Sequence, residues 1–347
     1  MDVKQRFLKH ACSSAIGMAV VAGLASPARA LIITPTYDAT IGANATIVAA
    51  ITTAISAVES LYGDSGTVGI YFAFDSAVFG QSNNGVTTRT FAQYKGALQA
   101  DATANPANTV LANALPFVGT GNTASSVRGT TAYLRVALGF NTTPCFSASG
   151  VFSGSCGAVN DAVISLGNLS YTAGAAGFNS EGVGVIEHEL NEVLGGGGAG
   201  TALSGSQTIT SIIGPIDFYR YHASGANCGS VTTTASNTSS GSEVACYSLN
   251  GGMTSLVQMN QTAGADFGDF VTPGFPKNIQ DAFGSGPNTL VYSTASAEYV
   301  MMQSIGWDPV VSNAVAEPAS IALFAGGIAG LGFLRRRRET ARGQPIV

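Results

Sequence analysis

His188 and Glu192 stand four residues apart, with Glu189 beside the histidine, in the run Val-Gly-Val-Ile-Glu-His-Glu-Leu-Asn-Glu-Val-Leu from Val183 to Leu194. On a helix, residues i and i+4 share a face. His188 and Glu192 could therefore reach one metal ion, with Glu189 over the open coordination position. Such an ion would polarise a carbonyl and lower the pKa of its water from 15.7 toward about 7. Glu189 would take that proton and pass it to a leaving amine. Ile186, Leu190, Val193 and Leu194 recur at helical spacing and form the apolar stripe that would hold the helix in place. The glycines from Gly195 to Gly198 end it, because glycine loses too much backbone entropy to continue a helix.

The pattern is H-E-x-x-H with glutamate in the second histidine position. A catalytic zinc usually has three protein ligands. The longer form H-E-x-x-H-x-x-G-x-x-H is met at His188, Glu189, the substituted Glu192 and Gly195, and stops at Gly198, which has no side-chain ligand atom. The third ligand must come from elsewhere. Asp217 is preferred, because it lies in the constrained segment behind Pro215, and His222 is the alternative. A second carboxylate also makes the site harder and less specific for zinc. The competing reading is that Glu187, His188, Glu189, Asn191 and Glu192 are the solvated face of an amphipathic helix. Scarcity argues against it, since only 10% of the 347 residues are charged.

A hydrophobic content of 46%, with 17 Phe and 11 Tyr, indicates a folded core rather than a disordered chain. The net charge of −5 provides no basic footprint for nucleic acid. Lys4, Arg6 and Lys9, the apolar stretch from Ala15 to Leu24 and the Ala28-Arg29-Ala30 site read as a signal peptide over 1–30, removed by signal peptidase to leave Leu31 first. In an exported chain Cys145, Cys156, Cys228 and Cys246 then imply disulfides. Of three connectivities, the local pairs 145–156 and 228–246 close the shortest loops. No Cys-x-x-Cys pair supports a cysteine metal site instead.

The order of elements reads as α+β. A helix is expected over Asp38–Tyr62, capped at Asn44 or Thr46, then a turn and a strand over Val68–Phe74. Gly80–Gly85 reads as a polar loop, Phe91–Ala102 as a helix with Tyr94 and Leu98 inward, and Thr109–Leu115 as a helix stopped at Pro116. Thr131–Leu138 and Ala162–Leu169 read as strands, and Ile212–His222 as a strand or tight loop. The stretch from Cys246 to Leu290 is rich in Gly and Asn. Its Asp266-Phe267-Gly268-Asp269 and Asp281-Ala282-Phe283 runs lack EF-hand spacing and read as structural turns rather than a calcium loop. A helix over Ser293–Ile305, with Val300, Met301 and Ile305 inward, closes a single domain over 31–310.

Beyond a linker at 311–316, Glu317-Pro318, an apolar run to Leu334 and Arg335–Arg338 resemble a PEP-CTERM sorting tail over 317–347. That resemblance implies a Gram-negative source, transient inner-membrane insertion through 319–334, removal of the tail by an exosortase, and delivery to the cell surface or exterior. A plain membrane anchor is the alternative. His-Glu-Leu-Asn-Glu-Val-Leu-Gly, Asp217-Phe218-Tyr219-Arg220-Tyr221, Asp266-Phe267-Gly268-Asp269, Asp281-Ala282-Phe283 and Ile305-Gly306-Trp307-Asp308 together resemble a bacterial family of exported zincin-like metalloproteases of the HExxE type. The resemblance implies a zincin-like α+β fold, with a small mixed sheet, an active-site helix and a loop-rich C-terminal half. It implies an endopeptidase acting on exported proteins or peptides, with Glu189 as base and His188 and Glu192 on zinc. Asp217, or His222 in its place, is expected to complete the metal, and the chain is expected to be a monomer. The alternative of another class is an inactive relative in the cell surface or biofilm matrix.

Overall fold

The computed structural model describes residues 31–119, 125–154, 156–169, 171, 181–197, 212–225, 228–229, 231–235, 244–262, 266–271, 278–282 and 292–310. The expected signal segment, Gly198, the linker and the sorting tail lie outside them.

The fold is α+β. Strand β1 (Leu31–Tyr37) leads through one turn, α1 (Ala39–Gly42), into helix α2 (Ala45–Glu59). Asp38 secures this junction: one carboxylate oxygen accepts from the Ile41 amide at 2.7 Å and the other from the Phe74 amide at 2.7 Å. Asn44 caps α2 by accepting from the amides of Thr46 and Ile47. The expected long helix is thus broken at Ala43–Asn44. Ile47, Ile51, Ala54, Ile55 and Val58 form the buried stripe of α2, which packs on α6 (Glu181–Val193), the helix carrying His188.

Strands β2 (Gly66–Phe74) and β6 (Ala162–Leu166) continue β1 in parallel, and β3 (Gly80–Asn84) adds antiparallel to β6. The order β1-β2-β6-β3 makes a mixed sheet with β3 at its edge. This corrects the expected loop at Gly80–Gly85. Gly-Gln-Ser-Asn-Asn has no apolar or β-branched residue, yet its backbone pairs along all of β6. A second sheet joins β4 (Val86–Thr90), β5 (Ser126–Thr130) and, after α6, β7 (Ile212–Ile213).

Between them run α3 (Phe91–Ala104) and α4 (Thr109–Ala114), with Tyr94 and Leu98 buried as expected. Thr131–Leu138 is not a strand: α5 (Thr131–Val136) is a helix, started where Thr130 Oγ1 accepts from the Tyr133 amide. It is docked by Arg135, whose guanidinium meets both oxygens of the buried Asp161 carboxylate at 2.7 Å. The loop-rich remainder holds an antiparallel sheet ordered β11-β10-β8-β9, from β8 (Arg220–Ala223), β9 (Val231–Ala235), β10 (Ala245–Tyr247) and β11 (Val257–Met259). Disulfides join Cys145 to Cys156 and Cys228 to Cys246, the two local pairs. Helix α7 (Ala297–Ser304) closes the described chain, and Met301 and Ile305 are buried with Trp307.

Candidate metal centre

Helix α6 is not an amphipathic surface helix. Its apolar stripe is buried, and so are Glu187, Glu189, Asn191 and Glu192 on its polar side. Four polar residues at core depth require partners or protonation, which removes the reading of a solvated face.

The C-terminal end of α6 is fixed by groups that satisfy its last carbonyls. Thr130 Oγ1 donates to Val193 O at 2.7 Å and the Trp307 indole to Leu194 O at 2.9 Å. Gly195 then takes φ +94° with the Tyr133 ring against its Cα side, where a Cβ would lie 2.9 Å from the ring. At Gly197 a Cβ would meet Glu192 Cγ at 2.5 Å and the Gln280 amide at 2.8 Å. These glycines end the helix and also admit side chains of the site.

His188, Glu192 and Asp269 bring one ligand atom each within 4.8 Å of one another. His188 Nδ1 lies 2.8 Å from the Ile279 carbonyl. A proton on Nδ1 there leaves Nε2 as the lone-pair nitrogen, the arrangement that orients metal-binding histidines. Nε2 stands 3.5 Å from Glu192 Oε1 and 3.6 Å from Asp269 Oδ1. Donor atoms at ~2.0–2.2 Å around a tetrahedral zinc are about 3.3–3.6 Å apart; both distances from His188 match this, and the two carboxylates lie within 4.8 Å of each other. Ser82 of β3 donates its hydroxyl to the other oxygen of Glu192.

Asp269 arrives on a turn held from several sides. Phe267 and Phe270 are buried anchors. Asp266 Oδ1 accepts from the Gly268 amide at 2.7 Å, and Asn260 Nδ2 donates to Asp266 O at 2.7 Å. The Arg220 guanidinium donates to Phe267 O. The Asp-Phe-Gly-Asp run forms the structural turn expected from its sequence, and it also carries Asp269 into the donor group.

Asp217 is not in this group. It is fully buried, accepts from the Gly214 amide at 2.8 Å and faces Arg220 at 3.9 Å. It helps seat the arginine that braces the Asp269 turn, and the third member of the donor group is Asp269 instead. His222 also lies outside the group, on β8, where it pairs with Ala245.

The electrostatics favour a cation. Burial, then the neighbouring Glu192 charge, pushes the Glu189 carboxyl well up. Burial likewise raises Asp269 well above the carboxylate range, despite the opposing His188, and lifts Asp266 to about 6. Burial also works against a charged His188, yet Asp269 and Glu192 outweigh it and raise the imidazole well above its usual value. Glu192 alone is lowered, since His188 and Ser82 overcome its burial. One imidazole cannot balance this many acids, so the cluster must hold protons or an ion. Glu189 Oε2 is buried and has no hydrogen-bond partner. His188 and Glu189 also line a cleft of about 140 Å³ with Phe79, Gly80, Val185, Asp281 and Ala282. An orphaned carboxylate oxygen beside a nitrogen-and-carboxylate donor set fits a divalent metal.

Among the described residues no helix is long and apolar enough to cross a membrane. Comparison with protein-family models, curated proteins and solved structures found no match.

Proposed function

We propose that this chain is an exported, zincin-like endopeptidase that holds a divalent metal, zinc in the first instance, on His188, Glu192 and Asp269. The observation that carries the reading is the convergence of those three donors near the unpartnered Glu189 oxygen, with His188 and Glu189 lining an open cleft. The bound metal would supply Lewis-acid polarisation of the substrate carbonyl and of water.

The chain's own residues supply the rest. Glu189 accepts a proton from the attacking water and returns it to the leaving amine. The Ile279 carbonyl keeps His188 turned so that Nε2 faces the site. Strand β3 lies against α6 with one edge on β6 and ends the sheet at its other edge, so an extended peptide could add there as a further strand. Export and an oxidising destination are supported by the two disulfides. The leader, the sorting tail and processing by signal peptidase and exosortase rest on the sequence pattern alone.

A catalytically silent surface or matrix protein is the second reading. It is favoured by the Gln280 amide, which already satisfies Asp269 at 2.7 Å without any ion. Casein or peptide cleavage by purified mature protein, with and without zinc, separates the two. The enzyme reading expects zinc-dependent cleavage that is abolished in Glu189→Gln. Metal-replete protein without cleavage supports the second.

A further inference from the structure

Gln280 is wholly buried, and its side chain reaches the donor group. Its Nε2 lies 2.7 Å from Asp269 Oδ1 and 3.4 Å from His188 Nε2. The amide nitrogen thus donates to Asp269 and stands against a second of the three atoms that an ion would take. Its Oε1 accepts from Asn191 Nδ2 at 2.6 Å, Asn191 Oδ1 accepts from the Tyr292 hydroxyl at 3.0 Å, and Tyr292 meets the Tyr62 hydroxyl. The backbone amide of Gln280 is held separately, by Glu298 at 3.0 Å.

Resting on the metal reading above, we infer that Gln280 is a fourth protein ligand: its amide guards the empty site through Nε2 and turns Oε1 inward when the metal enters. An amide nitrogen has no lone pair to offer a cation, whereas its oxygen does. The chain behind it can reverse as far as the Tyr62 hydroxyl, at the end of the chain. Nε2 then donates to Asn191 Oδ1, Asn191 Nδ2 donates to Tyr292, and Tyr292 donates to Tyr62. Each member is an amide or hydroxyl able to act in either sense. The reversal exchanges amide nitrogen and oxygen and turns hydroxyls in place, so it needs no repacking of the core. The close approach at Gly197 leaves the amide the space it occupies in either orientation.

The test is metal affinity by chelator competition, and the Co²⁺ absorption spectrum, for wild type, Gln280→Met and Gln280→Glu, with melting temperatures of the metal-free proteins. Gln280→Met, which keeps bulk and loses the oxygen, is expected to bind about 10–100-fold more weakly and to change the Co²⁺ spectrum. Gln280→Glu is expected to bind at least as tightly as wild type and to have a lower metal-free melting temperature that metal restores. Wild-type affinity and an unaltered Co²⁺ spectrum in Gln280→Met, with only its melting temperature reduced, would overturn the assignment and leave the metal site standing. A wild type that takes up neither zinc nor cobalt would overturn both.

Discussion

Gly80 of β3 and Glu189 of α6 approach so closely that a Cβ on the glycine would lie 2.7 Å from Glu189 Oε1, and 2.3 Å from Val185 Cγ1. The proposed general base is therefore pressed against a backbone that tolerates no side chain. Gly80→Ala should push β3 from α6 or turn Glu189 aside. Overpacking of this kind costs about 1–3 kcal/mol, and cleavage should fall further than stability does. Denaturation midpoints beside kcat/KM check this; a fully active Gly80→Ala protein would show that the contact does not position the base.

Asp217 and Asp269 should respond in opposite ways to loss of charge. Asp217→Asn removes a buried carboxylate that faces Arg220, which should destabilise the fold by up to about 3–5 kcal/mol. Protein that remains folded should still bind metal. Asp269→Asn removes a ligand and also relieves a carboxyl held well above its ordinary pKa by burial. It should lose metal while the metal-free protein keeps its melting temperature. The reverse pattern in paired metal and melting assays would restore Asp217 as the ligand.

Stability should decline with pH because of Asp64. Burial, then the nearby Asp308 charge, pushes its carboxyl from 3.8 up to about 9. Between those values the folded chain keeps a proton that the unfolded chain has released. This contribution is therefore full below about pH 4 and is lost as pH rises through about 9, at up to ~1.4 kcal/mol per pH unit. Glu187, raised to about 8 by burial and Glu298, adds in the same direction. Urea midpoints at pH 5, 7 and 9 should fall in wild type and fall less steeply in Asp64→Asn. Parallel slopes would discount Asp64.

Each disulfide closes a short loop, with sequence separations of 11 and 18. Cross-links over loops near 15 residues stabilise by about 3 kcal/mol, chiefly through the unfolded chain. Replacing either pair by alanine should lower stability by about that amount, read from denaturant unfolding. No change on removing both would contradict the pairing.

Much of the site was legible because it was local. The His188, Glu189 and Glu192 spacing, the Asn44 cap and the two nearby cysteine pairs each need only one stretch of chain. What escaped depends on distant partners. Strand β3 is polar throughout, and only its pairing with β6 makes it a strand. Thr131–Val136 alternates like a strand, yet Thr130 supplies a helix cap. Asp269 is distant in sequence from α6, and its turn is aimed by Arg220, Asn260 and two buried phenylalanines, none of them recognisable as a metal site from spacing. The charge scarcity that drew attention to α6 applied equally to the Asp266–Asp269 run and could have singled it out.

The most direct measurement is the metal content of purified mature protein by elemental analysis, for wild type, His188→Ala and Asp269→Ala. The account predicts close to one divalent ion per wild-type chain and a marked loss in both variants, with Glu189→Gln remaining loaded. A folded wild type that stays metal-free in excess zinc, or an Asp269→Ala protein that remains fully loaded, would contradict it.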